Sequence, residues 1–179
     1  MGDSLAGLPE GLTARLRLTA LTGRDAEELR VLTDDPAITA NVNFLPTPFT
    51  PDDSRALIRT NDGDRDRFLA LRSRRTATLI GVAGTHLRGD DGIEVGYWIG
   101  RPHHGQGYAT EALRGVIALL EAAFPDRRIF AECRPENAAS WRVLGKAGFV
   151  ATGLDGERPG RRRLILAPER NGGNTDGIR

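Results

Sequence analysis

The stretch His103-His104-Gly105-Gln106-Gly107-Tyr108-Ala109-Thr110-Glu111 decides the fold, because two glycines one residue apart open directly into an amphipathic helix. Apolar residues recur along that helix at three- and four-residue spacing, which predicts one buried face: Ala109, Ala112, Leu113, Val116, Ile117, Leu120, Ala123 and Phe124. The helix therefore starts near Gly107. N–H groups at a helix start lack internal partners and lie at the positive end of its dipole. Glycines there let a phosphate approach, so the stretch predicts a site for a phosphorylated ligand.

Two common phosphate-binding loops fit this stretch poorly. A dinucleotide fingerprint needs a third Gly or Ala where Thr110 stands, and a triphosphate loop ends in Gly-Lys-Ser/Thr. The only lysine of the chain is Lys146. Residues 104–109 resemble instead the acyl-CoA signature Gln/Arg-x-x-Gly-x-Gly/Ala of the GCN5-related N-acetyltransferases (GNAT), with His104 where that family has Gln or Arg. A glycine turn before a core helix remains the alternative interpretation of this segment alone.

A second segment, residues 135–149, resembles the late helix of the same superfamily, whose pattern is Asn-x-x-Ser followed by Lys-x-Gly-Phe. Physically, Asn137 is expected to cap the helix, Gly148 to end it in a left-handed conformation, and Phe149 to be buried after that stop. The resemblance implies that Asn137 bonds the pantetheine arm and that Ser140 faces the thioester sulfur. Taken alone, Ser140 is equally a small polar residue in a first helical turn.

Four further segments are similar to the ribosomal-protein N-terminal acetyltransferase (RimJ/RimL-like) branch: residues 15–18, 24–35, 48–53 and 93–100. The resemblance runs from about residue 12 to about residue 167 and implies an acetyl-CoA donor. It implies a GNAT-like α/β fold, a central mixed sheet of six to seven strands with helices on both faces. It also implies that the donor binds to backbone or side chains of Tyr97, Trp98, Ile99, His104, Gly105, Gln106, Gly107, Tyr108, Ala109, Thr110, Asn137 and Ser140.

Periodicity predicts the same order of elements. The predicted strands are residues 13–18, 67–73, 78–87, 92–100, 128–133, 149–153 and 161–167, and the predicted helices are residues 25–33 and 51–60, the glycine-loop helix and a short helix after Asn137. Such an order favours a mixed sheet with helices on both faces. We expect one domain at residues 12–167, with mobile tails at residues 1–11 and 168–179 that are rich in Gly, Asp and Asn.

The composition of the chain limits the kinds of binding partner that we expect. The chain has 179 residues, 39% of them hydrophobic, which suffices for one core, and a net charge of +1, which argues against nucleic acid and anionic membrane. The single cysteine, Cys133, ends a predicted strand and is expected to be a buried, inert thiol. No long apolar run or basic-apolar leader is visible, so we expect a cytoplasmic protein. The three histidines give no metal-ligand spacing, so no metal is expected, and a homodimer is compatible with the sequence.

Acyl transfer to an amine needs a base for the ammonium proton, donors for the oxyanion and an acid for the leaving thiolate. Strand alternation places Glu94 as a charge in an otherwise apolar strand, and similar enzymes carry a glutamate there that takes the proton, commonly through water. The alternative is a carboxylate at a strand end that reaches solvent. Ser140 is the candidate acid. The arginines at 72, 74 and 75 and at 161–163 are interpreted as solvated strand edges.

The leading hypothesis is therefore an acetyl-CoA-dependent N-acetyltransferase acting by direct attack in a ternary complex. The acceptor is expected to be an α-amino group, of a protein N-terminus or a small metabolite. Its wall is predicted at residues 41–49 and 154–163, which include Asn43, Phe44, Pro46, Asp155 and Glu157. Two alternatives stay open, a catalytically inactive CoA-binding sensor or interaction module and a related enzyme that uses a longer acyl-CoA.

Overall fold

The computed structural model describes residues 4–168, which build a mixed sheet covered by helices on both faces. Its spatial strand order is β1-β2-β3-β4-β5-β6-β8-β7. Strands β1 to β5 are antiparallel neighbours, β5 and β6 are parallel, and β8 pairs antiparallel with both β6 and β7. The strands are β1 (Gly11–Leu12), β2 (Leu16–Ala20), β3 (Asp66–Ser73), β4 (Leu79–Arg88), β5 (Gly92–Ile99), β6 (Arg128–Cys133), β7 (Phe149–Asp155) and β8 (Arg162–Leu166).

The predicted mixed sheet with helices on both faces is confirmed, but the prediction of six to seven strands is wrong, because the sheet has eight among the described residues. The additional strand is β1, which pairs through Gly11 and Leu12 with the outer edge of β2. Two residues are too few to show the alternation of side chains from which a strand is recognised in a sequence.

Five α-helices are described: α1 (Ala26–Thr33), α2 (Pro36–Thr39), α3 (Pro51–Arg59), α4 (Tyr108–Ala123) and α5 (Ala138–Lys146). The start of α3 follows from a reciprocal capping box between Thr50 and Asp53, with Pro51 at the first helical position. Asn137 caps α5 by accepting from the Ser140 amide, and Gly148 is left-handed after it, so both predictions are confirmed. The sequence analysis missed α2, a single turn.

Helix α4 forms the larger of two cores. Its predicted apolar face is buried, with Ala112, Leu113, Val116 and Leu120 at 0–1% exposure against Leu16 and Leu18 of β2. A fully buried leucine contributes about 1.5–3 kcal/mol relative to an exposed one, so this face supplies much of the fold's stability. Gly115 lets α4 lie close to the sheet edge, because a Cβ there would meet Thr13 Cγ2 at 2.7 Å. The start of α4 is therefore fixed rigidly on the sheet.

The second core lies on the opposite face, beneath α1, α2 and α3, and includes Leu29, Ile38, Phe49 and Trp98. Strand β5 divides between the two cores as the alternation predicts. Ile93, Val95 and Ile99 belong to the α4 side, whereas Trp98 belongs to the other and donates from Nε1 to Thr33 Oγ1 at 3.1 Å. Strand β5 is thus anchored on both faces of the sheet.

The predicted N-terminal tail contains two residues of the core, since Leu5 is fully buried and Leu8 is 6% exposed in the α4-side cluster. Residues 1–3 and 169–179 lie outside the described part of the chain, and with them most of the predicted C-terminal tail. Within residues 4–168, no helix is both long and apolar enough to cross a membrane.

Candidate functional site

The parallel strands β5 and β6 separate halfway along β5, and this separation builds the site. They are paired at Gly92–Arg128, Ile93–Ile129 and Glu94–Phe130, after which the register ends, while β6 continues its pairing with β8. Along residues 95–99, the edge of β5 that faces β6 therefore has no strand partner. Such an edge offers backbone N–H and C=O groups to a ligand that lies along it, in the manner of an added strand.

The glycine loop, residues 103–107, ends at the start of α4. Gly105 and Gly107 have φ of +72° and +80°, a left-handed conformation that glycine adopts without strain. No side chain caps α4, and a Cβ at Gly105 would meet nothing within 4 Å. The first-turn amides of the helix are thus accessible at its positive end, as anion binding requires.

His104 ties the glycine loop to the end of β5. Its Nε2 lies 2.7 Å from the Ile99 carbonyl oxygen, and because a carbonyl oxygen only accepts, Nε2 carries the proton and donates. The side chain at the one position that departs from the GNAT signature therefore fixes the loop against the strand edge. Gln106 turns away, since its amide nitrogen donates to the Pro102 carbonyl at 3.0 Å.

Arg15 and Glu111 hold the other side of the glycine loop. Arg15 donates from Nε to Glu111 at 2.6 Å and from a terminal nitrogen to the Gln106 carbonyl at 2.9 Å, and its guanidinium lies 4.2 Å from the centre of the Tyr108 ring. Burial raises the pKa of Glu111, but hydrogen bonds from Thr13 and Arg15 outweigh it and the net shift is downward. The Glu111 carboxylate near the anion site is therefore neutralised by Arg15.

A groove of about 480 Å³, here called the long groove, runs from the glycine loop to the β5 edge. Arg142 and Lys146 of α5 add two cations to its wall. The structure brings together in it every predicted donor-binding residue except Gln106: Tyr97, Trp98, Ile99, His104, Gly105, Gly107, Tyr108, Ala109, Thr110, Asn137 and Ser140.

The long groove meets a second cavity at a pair of hydroxyl groups. Tyr97 Oη and Ser140 Oγ are 3.0 Å apart, and both residues line both cavities. Burial raises the pKa of Tyr97 to about 12, so its phenol keeps its proton at ordinary pH. Burial likewise raises the pKa of the neighbouring Cys133 thiol, which at 3% exposure is buried, as predicted. A protonated thiol is a poor nucleophile, which agrees with the prediction that Cys133 is inert.

The second cavity, about 110 Å³ and here called the small pocket, has a floor without side chains. Gly84 of β4 and Gly96 of β5 are register partners, and a Cβ at Gly96 would meet nothing within 4 Å. Three aromatic rings border it, with Phe44 centred 6.0 Å from Phe68 and 6.3 Å from Trp98. Backbone and aromatic rings therefore form part of the pocket wall.

Charged groups close the far end of the small pocket, where Glu94 is 6% exposed. One of its oxygens accepts from Arg158 and the other from Arg88 at 3.1 Å. Arg158 also lies 3.6 Å from Glu132, whose carboxylate accepts from the Glu157 amide at 2.7 Å. The predicted Glu94 thus lies at the pocket, but as a carboxylate with both oxygens engaged.

Arg161 covers the pocket from the β7–β8 loop. It donates to the carbonyl oxygens of Glu132 and Asn41, each at 3.0 Å, and among residues 4–168 no carboxylate forms a hydrogen bond or ion pair with it. Burial lowers the pKa of Arg161, and repulsion from Arg158 and Arg134 lowers it further. Interpreting residues 161–163 as a solvated edge was therefore wrong for Arg161.

Of the predicted acceptor wall, Asn41, Asn43, Phe44, Arg158 and Arg161 line the small pocket. Pro46 is not among the lining residues, and Asp155 and Glu157 pair instead with Arg162 and Arg163. Both predicted loops, the one before α3 and the one after β7, therefore line the small pocket. Of the five residues named in the prediction, Asn43 and Phe44 are part of this lining.

Sequence reasoning missed the His86–Asp66 pair at the same end of the small pocket. His86 is 9% exposed, its Nδ1 lies 2.7 Å from Asp66, and it is the register partner of Glu94. The hydrogen bond to His86 lowers the pKa of Asp66. A polar residue within the apolar run of β4 was a visible signal, but its neighbours depend on strand register, which the sequence does not reveal.

Comparison with known proteins agrees with this geometry. A family model described as an acetyltransferase (GNAT) domain matches residues 15–150. An uncharacterised N-acetyltransferase, p20 of Bacillus licheniformis, is 33% identical over 150 residues, covering 79% of this chain and 83% of that protein. The crystal structure of a GNAT-family acetyltransferase from Bacillus anthracis superposes with a TM-score of 0.78 at 22% identity, covering 88% of this chain and 98% of that one. Spermidine N-acetyltransferase from Vibrio cholerae, solved with CoA and spermine, gives 0.71 at 18% identity, covering 84% and 95%.

Proposed function

Because the chain belongs to the GNAT acetyltransferase family, we propose that it moves an acetyl group from acetyl-CoA directly to a primary amine in a ternary complex. One observation supports the proposal above the others. The long groove and the small pocket share Tyr97 and Ser140, so two substrates that each occupy one of them would come into contact there. Direct attack requires such contact, because effective concentration at a shared point replaces a covalent intermediate.

The long groove suits the donor. Its glycine loop presents accessible amides to a pyrophosphate, Arg142 and Lys146 add positive charge, and the free edge of β5 offers hydrogen bonds to an amide-rich arm. On this assignment the thioester carbonyl accepts from a backbone N–H group of the free edge, that of Tyr97 or Ile99, because the N–H groups of alternate strand residues point to opposite edges and that of Gly100 faces β4. The same N–H group stabilises the oxyanion that forms during attack.

Ser140 is assigned to the leaving thiolate. Its hydroxyl is already hydrogen-bonded to Tyr97, whose buried phenol stays protonated, so the pair can pass a proton to sulfur and regain one from the product nitrogen. Many similar GNAT enzymes protonate the thiolate with a tyrosine of the late helix. In this chain α5 has no tyrosine, and Tyr97 of β5 places its hydroxyl beside Ser140. A free thiol has a pKa of about 8.5, so its thiolate leaves readily and the contribution is modest.

The small pocket suits the acceptor, and its size supports acetyl as the group transferred. At about 110 Å³, bordered by Phe44, Phe68 and Trp98, it leaves little room for both an amine and a long acyl chain. A longer acyl donor is therefore the weaker alternative. The CoA-binding sensor is supported only by the engagement of Glu94 with two arginines.

We propose an α-amino group as the acceptor, of a protein N-terminus or a small metabolite. At pH 7 an α-amino group with a pKa near 7.8 is neutral about one time in seven, whereas a lysine side chain near 10.4 is neutral about once in ~2,500. The lysine therefore demands a much stronger base. The RimJ/RimL-like branch, a cytoplasmic location and a homodimer stay predictions of the sequence.

The proposed function predicts that CoA release depends on an acceptor amine. Mixed with acetyl-CoA and a panel of free amino acids, polyamines and short peptides with free N-termini, the protein is expected to release CoA thiol only when an acceptor amine is present. A thiol-reactive dye reads the release, and mass spectrometry identifies the acetylated amine. Propionyl-CoA and succinyl-CoA are expected to give slower transfer than acetyl-CoA, because the small pocket leaves little room for a longer acyl chain. Tight acetyl-CoA binding without product on any amine would favour the sensor.

A further inference from the structure

We propose that His86, oriented by Asp66, accepts the proton of the acceptor ammonium, while Glu94 supports the reaction through its charge alone. The inference rests on the proposed function and concerns the acceptor end of the same site. It replaces the role that the sequence suggested for Glu94. His86 is a basic side chain at the acceptor end of the site that the sequence analysis did not single out.

The hydrogen bond to Asp66 sets the orientation and tautomer of His86. Nδ1 lies 2.7 Å from an Asp66 carboxylate oxygen, and since that oxygen accepts, Nδ1 carries the proton of the neutral imidazole. Nε2 then holds a free lone pair, and within residues 4–168 it makes no hydrogen bond. This is the arrangement of carboxylate and imidazole by which a base is held ready in hydrolytic enzymes.

The position of Nε2 depends on a glycine. A Cβ added to Gly84 would lie 2.8 Å from His86 Nε2 and 3.0 Å from a carbon of the Phe68 ring. The missing side chain therefore lets the imidazole extend over the floor of the small pocket. His86 lines that pocket together with Gly84 and Gly96, the glycine pair where an amine would lie.

Glu94 is poorly placed to take the proton itself. Each of its oxygens already accepts from a guanidinium, one from Arg158 and the other from Arg88. Protonation of Glu94 would weaken a charge-assisted hydrogen bond to one of these arginines. His86 gives up no existing bond when Nε2 accepts a proton.

Charged groups from each neighbouring element surround His86. Asp66 of β3 contacts its ring and Glu94 of β5 is its register partner, while Arg88 of β4 bridges Asp66 at 3.5 Å and Glu94 at 3.1 Å. Arg158, from the β7–β8 loop, contacts Glu94. The two arginines therefore hold both carboxylates in place around the imidazole that accepts the proton.

The proton balance closes without a further reactant. The ammonium gives one proton to Nε2, the neutral nitrogen forms a bond to the thioester carbon, and the carbon–sulfur bond then breaks. The second proton of the nitrogen reaches the thiolate through the Ser140 and Tyr97 hydroxyls, and His86 later loses the first proton to water. The products are the N-acetyl amine, CoA thiol and one released proton.

The deciding variant is His86→Asn, whose amide can still donate to Asp66 but offers no basic nitrogen. With acetyl-CoA and the panel amine that wild type acetylates fastest, kcat is expected to fall by about a hundredfold or more, as for loss of a general base. The acid limb of kcat against pH is expected to vanish. In Glu94→Gln the rate is expected to fall less and the acid limb to persist. Asp66→Asn, which changes only the positioning of His86, is also expected to keep an acid limb.

Two controls separate this mechanism from a structural defect. Asp90→Asn removes an exposed carboxylate from the turn of the same hairpin and is expected to leave rate and limb unchanged. Acetyl-CoA affinity by calorimetry is expected to match wild type in all variants, and added imidazole is expected to restore part of the rate of His86→Ala. A wild-type acid limb in folded His86→Asn overturns the assignment, whereas failure of wild type to acetylate any amine overturns the proposed function beneath it.

Discussion

Gly107→Val is expected to abolish acetyl-CoA binding. Gly107 has φ of +80°, which a β-branched residue adopts only under strain, and it precedes the first residue of α4. A Cβ there would lie 3.5 Å from the Arg15 guanidinium, and the two methyl groups of valine would extend over the helix-start amides. The pyrophosphate would lose those amides as donors. Isothermal calorimetry is expected to show no binding at concentrations that saturate wild type.

Gly89→Val is the matched control for that experiment. Gly89 also has positive φ, +57°, but it lies in the β4–β5 turn, and an added Cβ there would meet nothing within 4 Å. Its backbone strain is therefore similar while the glycine loop stays intact, and wild-type affinity is expected. Equal acetyl-CoA affinity in Gly107→Val and wild type would show that the glycine loop does not bind the donor.

Glu132→Ala is expected to cost about 3 kcal/mol of unfolding free energy, the low end for removing one partner of a buried ion pair. The Glu132 side chain is 1% exposed, and it accepts from the amides of Glu157 and Arg158 and from the Arg163 guanidinium. Arg158 and Arg163 are about one-third exposed, and water can partly solvate them in the variant, which limits the loss. Urea unfolding at pH 7 measures it. Glu121→Ala, an exposed carboxylate of α4, is expected to change stability little.

The stabilisation by Glu132 is expected to decrease as the pH falls. Burial raises its pKa, but the amide and arginine contacts outweigh burial and leave the pKa below the ordinary value of 4.5. A depressed pKa in the folded state gives stability that is complete above the unfolded-state value and is lost as pH falls through the folded one. The stability gap between wild type and Glu132→Gln should therefore narrow below about pH 4.5. A gap that widens on acidification would contradict this assignment.

The donor side of the site could be predicted because it is contiguous in sequence. Residues 103–107, the helix after them and the cap at Asn137 each express local rules of helix starts and glycine conformation. The long groove therefore contains nearly all of the predicted residues. Local rules also explain the omissions, since β1 has two residues and α2 four, too short for any periodicity to appear.

The acceptor side could not be predicted in the same way, because it depends on pairing between distant strands. Gly84 and Gly96 form a floor only in the β4–β5 register observed, and the same register places His86 beside Glu94. Arg158 reaches Glu94 across 64 residues of chain. A shift by one residue would move these side chains to the other face of the sheet, and no local pattern fixes that choice.

The central claim, transfer from acetyl-CoA to an α-amino group, is tested most directly with two matched peptides. One has a free N-terminus and a blocked lysine, the other a blocked N-terminus and a free lysine. We predict a clearly higher kcat/KM for the first, with the acetyl group located on its α-nitrogen by mass spectrometry. A preference for the lysine peptide, with the acetyl group on the lysine nitrogen, would contradict the account.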